Sequence, residues 1–221
     1  MKQIDLNFDS RYSWAVDMVR ELQARNPAIQ TIFDIGAGDE RLRIEIERLG
    51  LKYYSFDLFP QNDRVRKWNI EEPIPYPEKA DAVIFLEVVE HLTNPGLCLK
   101  NVADVINKGG HLILSTPNPA WSGNRMHLLG NGVLGMFTEE DLRLNHHVFT
   151  PWYHIIKYML QSSGFPESKY YPLGKQTDIT DYPFWGLKMP VRLGFRLIKK
   201  AIEAKDALAK GAMYGVVAIK G

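Results

Sequence analysis

Two stretches of the chain place polar residues where a nucleoside could bind. "TIFDIGAGDE", residues 31 to 40, begins as an apolar run and then breaks into a turn that contains Asp34, Gly36 and Gly38. Because glycine lacks a side chain, the backbone can turn tightly there and come close to a ligand. Asp57, in "YYSFDLFP", follows about 20 residues later, where a carboxylate can accept hydrogen bonds from both hydroxyls of a ribose. The two sites together indicate a nucleoside ligand.

The residues that follow the two glycines separate two kinds of nucleotide loop. A dinucleotide fingerprint needs a further glycine where Arg41 stands, and a three-glycine nucleoside loop needs it where Glu40 stands. Arg41 therefore counts against a dehydrogenase, the main rival enzyme class. In "WNIEEPIP", Asn69 can hydrogen-bond an adenine edge and Ile70 can cover its face. These positions favour an adenine nucleoside as the ligand.

A second set of residues offers acid–base chemistry. The candidate general bases are His146 and His147 in "LNHHVFT", followed by His91 in "LEVVEH". An imidazole changes charge near neutral pH, so it can take the proton of a hydroxyl group that is being modified. For each histidine, the alternative is a structural role in which the ring is simply hydrogen-bonded.

The same stretch could hold a metal ion. Glu87, Glu90 and His91 could converge with His146, and carboxylates combined with imidazole suit a divalent ion such as Mg²⁺, Mn²⁺ or Zn²⁺. A bound ion would lower the pKa of a hydroxyl group and do the work of the base. The alternative is that "EVVEH" forms a pocket wall without a metal.

The candidate residues can act together only if the fold brings them to one edge of a sheet. Short apolar runs at 31–35, 52–56, 82–86 and 111–115 have the length and composition of strands buried on both faces. Helical stretches separate these runs, which predicts an α/β fold with a doubly wound parallel sheet. Ligands of such sheets bind beyond the carboxyl ends of the strands. The polar residues described above follow the strands at that edge.

Three helices are predicted around the sheet. An amphipathic helix spans 13–25, and a second helix begins at about Asp39, where its free N–H groups would face the ligand. A third spans 95–107, with Thr93 or Asn94 as its cap.

Composition limits the setting in which the chain works. At 221 residues and 45% hydrophobic content, the chain fits one globular domain with a sizeable core. No apolar run reaches the roughly 18 residues that span a bilayer, and "MKQIDLNFDS" lacks the features of a secretion signal, so we expect a cytoplasmic protein. A net charge of +1 argues against a general grip on nucleic acid, and no DNA partner is expected. Cys98, the single cysteine, is expected to be a small core residue.

The motifs together resemble a known enzyme family. "FDIGAGD", Asp57 and "ADAVIFLEVVEHLTNPGLCLKNVADVINKGGHLILSTPNP" are similar to class I S-adenosylmethionine-dependent methyltransferases of the type 11/12 kind, over roughly residues 30 to 120, with a weaker echo at "NHHVFTPWYHIIKYMLQSSGF". The resemblance implies that S-adenosylmethionine is the cofactor. In that family the glycine loop holds the methionine end, the acid after the second strand binds the ribose, and the loop after the third strand borders the adenine. The residues expected to bind the cofactor are Asp34, Gly36, Ala37, Gly38, Asp57, Leu58, Asn69, Ile70 and Glu87.

The resemblance also implies a complete fold. This is a Rossmann-like, doubly wound sheet of seven strands, the last antiparallel, with helices on both faces and lid insertions. "ESKYYPLG" would be strand six, and "AMYGVVAIKG" would be strand seven, returning beside it at the edge. We expect one domain over 1–221: an N-terminal helical part at 1–30, a cofactor-binding core at 31–116, and substrate lids at 117–149 and 173–210.

The sequence says about the methyl acceptor mainly which class of substrate it excludes. Enzymes that methylate exocyclic amines of DNA bases carry an Asn/Asp-Pro-Pro-aromatic motif after strand four, where this chain has "LEVVEH". The spacing of "EVVEH" resembles ubiquinone-biosynthesis O-methyltransferases and small-RNA 3′-end methyltransferases. We expect O-methylation of a small-molecule, sugar or lipid-linked acceptor. The alternatives are an RNA or protein methyltransferase, or a catalytically silent cofactor-binding module, because Glu40 would place a carboxylate near the cofactor.

The C-terminal stretch adds one further expectation. Residues 185–210 contain seven Lys or Arg residues against two acids, interleaved with apolar residues. This pattern is typical of an amphipathic helix on an anionic membrane, here the inner membrane surface, which would suit a lipid-linked acceptor. The alternative is a lid helix with a solvated basic face.

Overall fold

Seven strands form one sheet in the computed structural model, which describes residues 10–174 and 189–221. The sheet order is β3-β2-β1-β4-β5-β7-β6. In chain order, the strands are β1 (Thr31–Ile35), β2 (Lys52–Asp57), β3 (Arg66–Lys67), β4 (Ala80–Leu86), β5 (Ile106–Pro117), β6 (Glu167–Leu173) and β7 (Met213–Ile219).

The strand directions confirm the predicted Rossmann-like arrangement. Strands β1 to β5 run parallel, whereas β7 runs antiparallel to both β5 and β6. The predicted place of strand seven was wrong in one respect, because β7 lies between β5 and β6, and β6 forms the edge. The burial of the two strands gives the reason: β7 is buried on both faces along most of its length, whereas β6 alternates between exposed and half-buried residues.

Helices separate the strands, as the alternation of segments predicted. They are α1 (Ser10–Arg25), α2 (Arg43–Glu47), α3 (Pro95–Val105), α4 (Ser122–Asn131), α5 (Glu139–Asn145), α6 (Tyr153–Ser162) and α7 (Met189–Lys205).

Three helix boundaries differ from the predictions. Helix α1 begins at Ser10, three residues before the predicted start at 13. Asn94 caps α3 by accepting a hydrogen bond from the Leu97 N–H at 3.2 Å, but α3 ends at Val105 because Ile106 is extended and begins β5. The helix predicted from about Asp39 begins only at Arg43. Glu40 has a left-handed backbone, with φ of 60°, so the helix cannot begin before that residue.

The core occupies both faces of the sheet. On one face Phe33, Phe56 and Leu114 pack with α3 and α6, and Cys98 is buried among them as expected. On the other face, Trp14 and the rest of the buried side of α1 pack in the second cluster. Because the sheet is covered on both sides, the accessible edge is the one formed by the carboxyl ends of the parallel strands.

The segments expected to form lids hold helices in their described parts. Helices α4 and α5 lie within 117–149, and α7 lies within 173–210, of which 175–188 lie outside the described residues. Ser122 at the start of α4 donates a 2.6 Å hydrogen bond to Glu203 of α7, which ties the two helices together. Within the described ranges, every helix is too short or too polar to cross a membrane.

Candidate functional site

The glycine loop after β1 is held against β2 by its own backbone. Gly36 and Gly38 have left-handed φ values of 77° and 51°. The N–H groups of Gly36 and Ala37 both donate to the Phe56 carbonyl, at 2.8 and 3.2 Å. A Cβ atom on Gly36 would lie 2.3 Å from Cγ2 of Val88, so a side chain cannot be accommodated there. The loop is therefore compact, with its backbone facing the edge at which β4 ends.

Asp57, at the end of β2, has its carboxylate fixed beside this loop. One oxygen accepts from the Gly38 N–H at 3.0 Å, and the other accepts from the Phe59 N–H at 2.9 Å. Leu58 between them is 43% exposed. A carboxylate held by two N–H groups keeps further lone pairs for ligand hydroxyls, so the geometry suits the ribose role predicted for Asp57.

Asp34 lies at a more enclosed position than the other residues expected to bind the cofactor. Its side chain is 5% exposed and accepts a hydrogen bond from the Tyr53 hydroxyl. Burial raises the pKa of Asp34 to about 7, although the hydrogen bond from Tyr53 opposes the rise. In this structure Asp34 links β1 to β2 immediately before the glycine loop.

Glu40, at the place of the third glycine, does not present its carboxylate to the cofactor edge. Its side chain is 2% exposed and accepts hydrogen bonds from Arg43, from the Ser55 hydroxyl at 2.6 Å and from the Asn62 amide at 3.3 Å. Burial opposes ionisation, but these hydrogen bonds outweigh it and lower the pKa of Glu40. The carboxylate that the sequence analysis expected near the cofactor is therefore buried, and its charge is paired.

A cavity of about 470 Å³ lies next to the ribose-side residues. Asn69 lines it, and its amide has two partners: Nδ2 donates to Glu72 at 3.0 Å, and Oδ1 accepts from the Glu71 N–H at 3.2 Å. Ile70 is 8% exposed and belongs to the hydrophobic core. The lining residues are Leu58, Lys67, Trp68, Asn69, Glu72, Pro73 and Pro75.

Two carboxylates follow β4, that of the half-buried Glu87 and that of the buried Glu90. The Ser115 hydroxyl donates to Glu87 at 2.7 Å, and the Thr116 hydroxyl donates to Glu90 at 2.9 Å. Burial raises the pKa of both glutamates, and the charge of Glu87 raises that of Glu90 further. Both hydroxyl donors belong to β5, so the two central strands together hold these acids at their carboxyl ends.

The histidines predicted as bases are brought together only in part. The rings of His91 and His147 lie 5.1 Å apart, whereas the exposed His146 ends α5 and offers His91 only its carbonyl oxygen, at 3.3 Å. Ligand atoms of Glu90, His91 and His147 lie within 4.8 Å of one another. The group thus contains His147 in place of His146, and Glu87 is not a member. One carboxylate with two imidazoles fits a transition metal such as Zn²⁺ better than Mg²⁺.

Arg11 of α1, which the sequence analysis did not single out, lies close enough for its charge to act on the two acids after β4. Its charge lowers the pKa of Glu87 and of Glu90, against the larger effect of burial. Its guanidinium lies over the Tyr12 ring at 4.6 Å and donates to the Tyr12 hydroxyl at 3.2 Å. Arg11 belongs to no motif and precedes the recognised core, so only the packing of α1 indicates its place.

Comparisons of sequence identify the family to which the chain is similar. The model of the family described as "Methyltransferase domain" matches residues 9–165, more than half of the chain. A ubiquinone biosynthesis O-methyltransferase of Azorhizobium caulinodans is 33% identical over 101 residues, which are 39% of this chain and 40% of that protein. A protein of the same name from Bradyrhizobium sp. is 30% identical over 112 residues, 45% of this chain and 44% of that protein. The chain thus spans less than half the length of these curated relatives.

Solved structures share the fold. An S-adenosylmethionine-dependent methyltransferase from Archaeoglobus fulgidus superposes with a TM-score of 0.60 at 16% identity, covering 96% of this chain and 98% of that one. The plantazolicin methyltransferase BpumL, solved with a desmethyl-plantazolicin analogue and SAH, has a TM-score of 0.59 at 13% identity and covers 96% and 85%. Taken with the family match over residues 9–165, this likeness shows that the chain belongs to the class I S-adenosylmethionine-dependent methyltransferases.

Proposed function

We propose that this methyltransferase acts on a hydroxyl group of a small-molecule, sugar or lipid-linked acceptor. The main support is the meeting of His91, which follows β4, with His147, which follows α5; their ring centroids lie 5.1 Å apart. The sulfonium cofactor supplies an activated methyl group. The chain has to bind the cofactor, align the acceptor and remove a proton.

The cofactor would occupy the edge between the glycine loop and the cavity of Asn69. Asp57 would accept from the ribose hydroxyls, and Asn69 Oδ1 has a second lone pair for the adenine amine. The methionine part carries a carboxylate and an ammonium group. Arg11 would pair with the carboxylate and Glu87 with the ammonium group. The two side chains lie close enough for the charge of Arg11 to lower the pKa of Glu87, against the larger effect of burial.

His147 is our candidate for the general base, in preference to His146. Its Nδ1 lies 2.7 Å from the Met136 carbonyl oxygen, so that nitrogen must carry a proton and donate it. In the neutral ring Nε2 then has a free lone pair, which is what a base requires. His146 is exposed and lacks such a fixed orientation.

A metal-assisted reaction is the second candidate. The close grouping of Glu90, His91 and His147 supports it, since a bound divalent ion would activate a hydroxyl group by lowering its pKa. Turnover should be measured in excess EDTA and again after Zn²⁺, Mn²⁺ or Mg²⁺ is restored. We expect turnover to persist in EDTA if His147 is the base. Loss in EDTA and recovery with one ion would assign the group to metal binding instead.

The names of the relatives guide the choice of acceptors. The curated proteins similar to this chain are ubiquinone biosynthesis O-methyltransferases, which supports testing phenolic and quinol hydroxyls first. RNA and protein acceptors remain the alternative substrates. Burial of the Glu40 carboxylate removes the sequence argument for a silent module.

A lipid-linked acceptor is supported by the outer face of α7. Both acids of the C-terminal stretch face α4, because Glu203 accepts from Ser122 and Asp206 pairs with Arg125 at 2.5 Å. The other side of α7 exposes Leu197 at 61%, among other apolar and basic residues. We propose that this side of α7 contacts an anionic inner membrane surface. Residues 185–188 of the predicted stretch lie outside the described residues.

One acceptor screen tests the proposed function. Radiolabelled S-adenosylmethionine is incubated with the protein and separate panels of quinols, polysaccharide precursors, RNA and protein, with and without vesicles rich in phosphatidylglycerol. We expect label in a hydroxyl-bearing small molecule or lipid, and more label when vesicles carry the acceptor. Label found only in RNA or protein would overturn the proposal.

A further inference from the structure

We propose that Glu40 is a positioning residue that joins the glycine loop to the segment around Asp57 and so sets the affinity for the cofactor. The inference rests on the proposed use of S-adenosylmethionine at this edge. It concerns a residue that departs from the three-glycine pattern.

The backbone at Glu40 keeps the shape that a glycine would have. Its φ of 60° lies in the left-handed region, which glycine adopts freely and other residues adopt rarely. The Glu40 N–H donates to the Ala37 carbonyl at 2.8 Å, and the Glu40 carbonyl accepts from the Arg43 N–H at 3.0 Å. A glutamate at this place is strained, so its side chain must contribute something that glycine would not.

The Glu40 carboxylate is hydrogen-bonded to the part of β2 that precedes Asp57. Ser55, two positions before Asp57 in β2, donates to Glu40 at 2.6 Å. Arg43 donates to the same carboxylate and also to the Ser55 hydroxyl at 3.2 Å. Glu40, Arg43 and Ser55 therefore form a closed set of hydrogen bonds between the loop, α2 and β2.

The Glu40 carboxylate also contacts the segment that follows Asp57. The Asn62 amide donates to Glu40 at 3.3 Å, and Nε of Arg64 lies 3.3 Å from its second oxygen. Asn62 in turn accepts from the Arg64 N–H at 2.9 Å. The segment that follows Asp57 is thus tied back to the glycine loop through Glu40.

These contacts flank the bond that fixes the ribose-side carboxylate. Gly38, two positions before Glu40, donates to Asp57 at 3.0 Å. Contacts from Glu40 to Ser55 and to Asn62 hold the chain before and after Asp57 in the same register. Without Glu40, the half-buried guanidinium of Arg43 would lose a main partner. The distance between Gly38 and Asp57 would then no longer be set from both sides.

Two substitutions test whether the side chain of Glu40 is needed, or whether the position needs only the backbone conformation of a glycine. Glu40→Gly restores the three-glycine pattern and relieves the left-handed strain, but it removes every side-chain contact. Glu40→Gln keeps the size and loses the charge. If Glu40 is a positioning residue, both variants should bind S-adenosylhomocysteine about tenfold or more weakly, since hydrogen bonds to charged groups are lost.

Glu47→Gln is the matched control. Glu47 pairs with the same Arg43 at 2.9 Å, but from the last position of α2 and with a half-exposed side chain. This variant removes an ion pair without touching the loop, so its affinity should stay within about twofold of the parent, because half-exposed pairs contribute little.

Calorimetric titration with S-adenosylhomocysteine and with methylthioadenosine provides the readout. Methylthioadenosine keeps the ribose and lacks the amino acid, so both Glu40 variants should weaken the two ligands by a similar factor. Turnover at saturating cofactor should change little, which a general loss of structure would not produce. Parent-like affinity of Glu40→Gly would overturn the inference.

The double variant Asn62→Ala/Arg64→Ala keeps the test decisive if the Glu40 variants do not fold. It removes both contacts from the segment after Asp57 and leaves the pair of Glu40 with Arg43 intact. Weaker binding of both ligands supports the role of Glu40, and unchanged binding of both refutes it. If the parent itself binds neither ligand, the proposed cofactor site fails, and that result is distinct from a failure of the Glu40 inference.

Discussion

His91 and His147 meet edge to face, with ring centroids 5.1 Å apart and an angle of 61° between the ring planes. His91 follows β4 in a short 3-10 turn, and His147 follows α5 in the first lid segment. The buried Glu90 lies beside them, with its carboxylate 3.9 Å from Nε2 of His91. Burial and the neighbouring His147 lower the pKa of His91, so the His91 ring favours its neutral form.

This arrangement predicts different effects for two adjacent histidines. His147→Ala should reduce turnover by roughly 10²–10⁴-fold, the usual contribution of a positioned base, while the affinity for S-adenosylhomocysteine stays unchanged. His146→Ala is the matched control, because its ring is exposed, and it should keep near-parent turnover. Initial rates of methyl transfer to the identified acceptor measure both. The reverse order of effects would return the base to His146.

Asp57 should determine cofactor affinity. Asp57→Ala removes the ribose acceptor and should weaken S-adenosylmethionine and S-adenosylhomocysteine by about 1–3 kcal/mol, as measured by calorimetry. Asp39→Ala provides the control, since Asp39 lies on the same loop and pairs with the exposed Arg41 at 2.9 Å. Tight binding of NAD, together with no binding of S-adenosylmethionine, would contradict the assignment of this site.

The Asn69–Glu72 hydrogen bond should fix the adenine-side amide. Because Nδ2 of Asn69 donates to Glu72, Oδ1 is held as the acceptor for an adenine amine. Glu72→Ala should weaken S-adenosylhomocysteine by about three- to tenfold, the value of one hydrogen bond. In an Asn69→Asp background the same change should cost little, because the two carboxylate oxygens are equivalent. Equal losses in both backgrounds would show that Glu72 acts in another way.

Asp34 predicts a pH dependence of stability. Its pKa is about 7 in the folded chain against an ordinary value of 3.8, so between these values the folded state holds a proton that the unfolded state releases. Stability should therefore fall as pH rises from about 4 to 7. Asp34→Asn removes this contribution and keeps an acceptor for Tyr53. In urea titrations, its stability relative to the parent should improve as pH rises through this range. A constant difference across the range would refute the raised pKa.

The sequence alone specified the framework because the signals are local. The run at 82–86 is apolar throughout and that at 31–35 is apolar except for Thr31 and Asp34, and a strand buried on both faces requires such a composition. Gly36 and Gly38 adopt backbone conformations that glycine accepts freely. These signals, with the family resemblance, predicted the fold and the cofactor correctly.

Tertiary structure decided which neighbouring residue faces the site. His146 and His147 have the same chemistry and adjacent positions, but the left-handed backbone of His146, with φ of 55°, ends α5 and leaves His147 against His91. Glu40 similarly occupies a glycine position, and only the approach of Ser55 and Asn62 shows that its carboxylate is buried and paired. Arg11 enters through the packing of α1. Sequence patterns specify periodicity and turns, whereas the partners of a polar side chain come from distant segments that meet only in the folded chain.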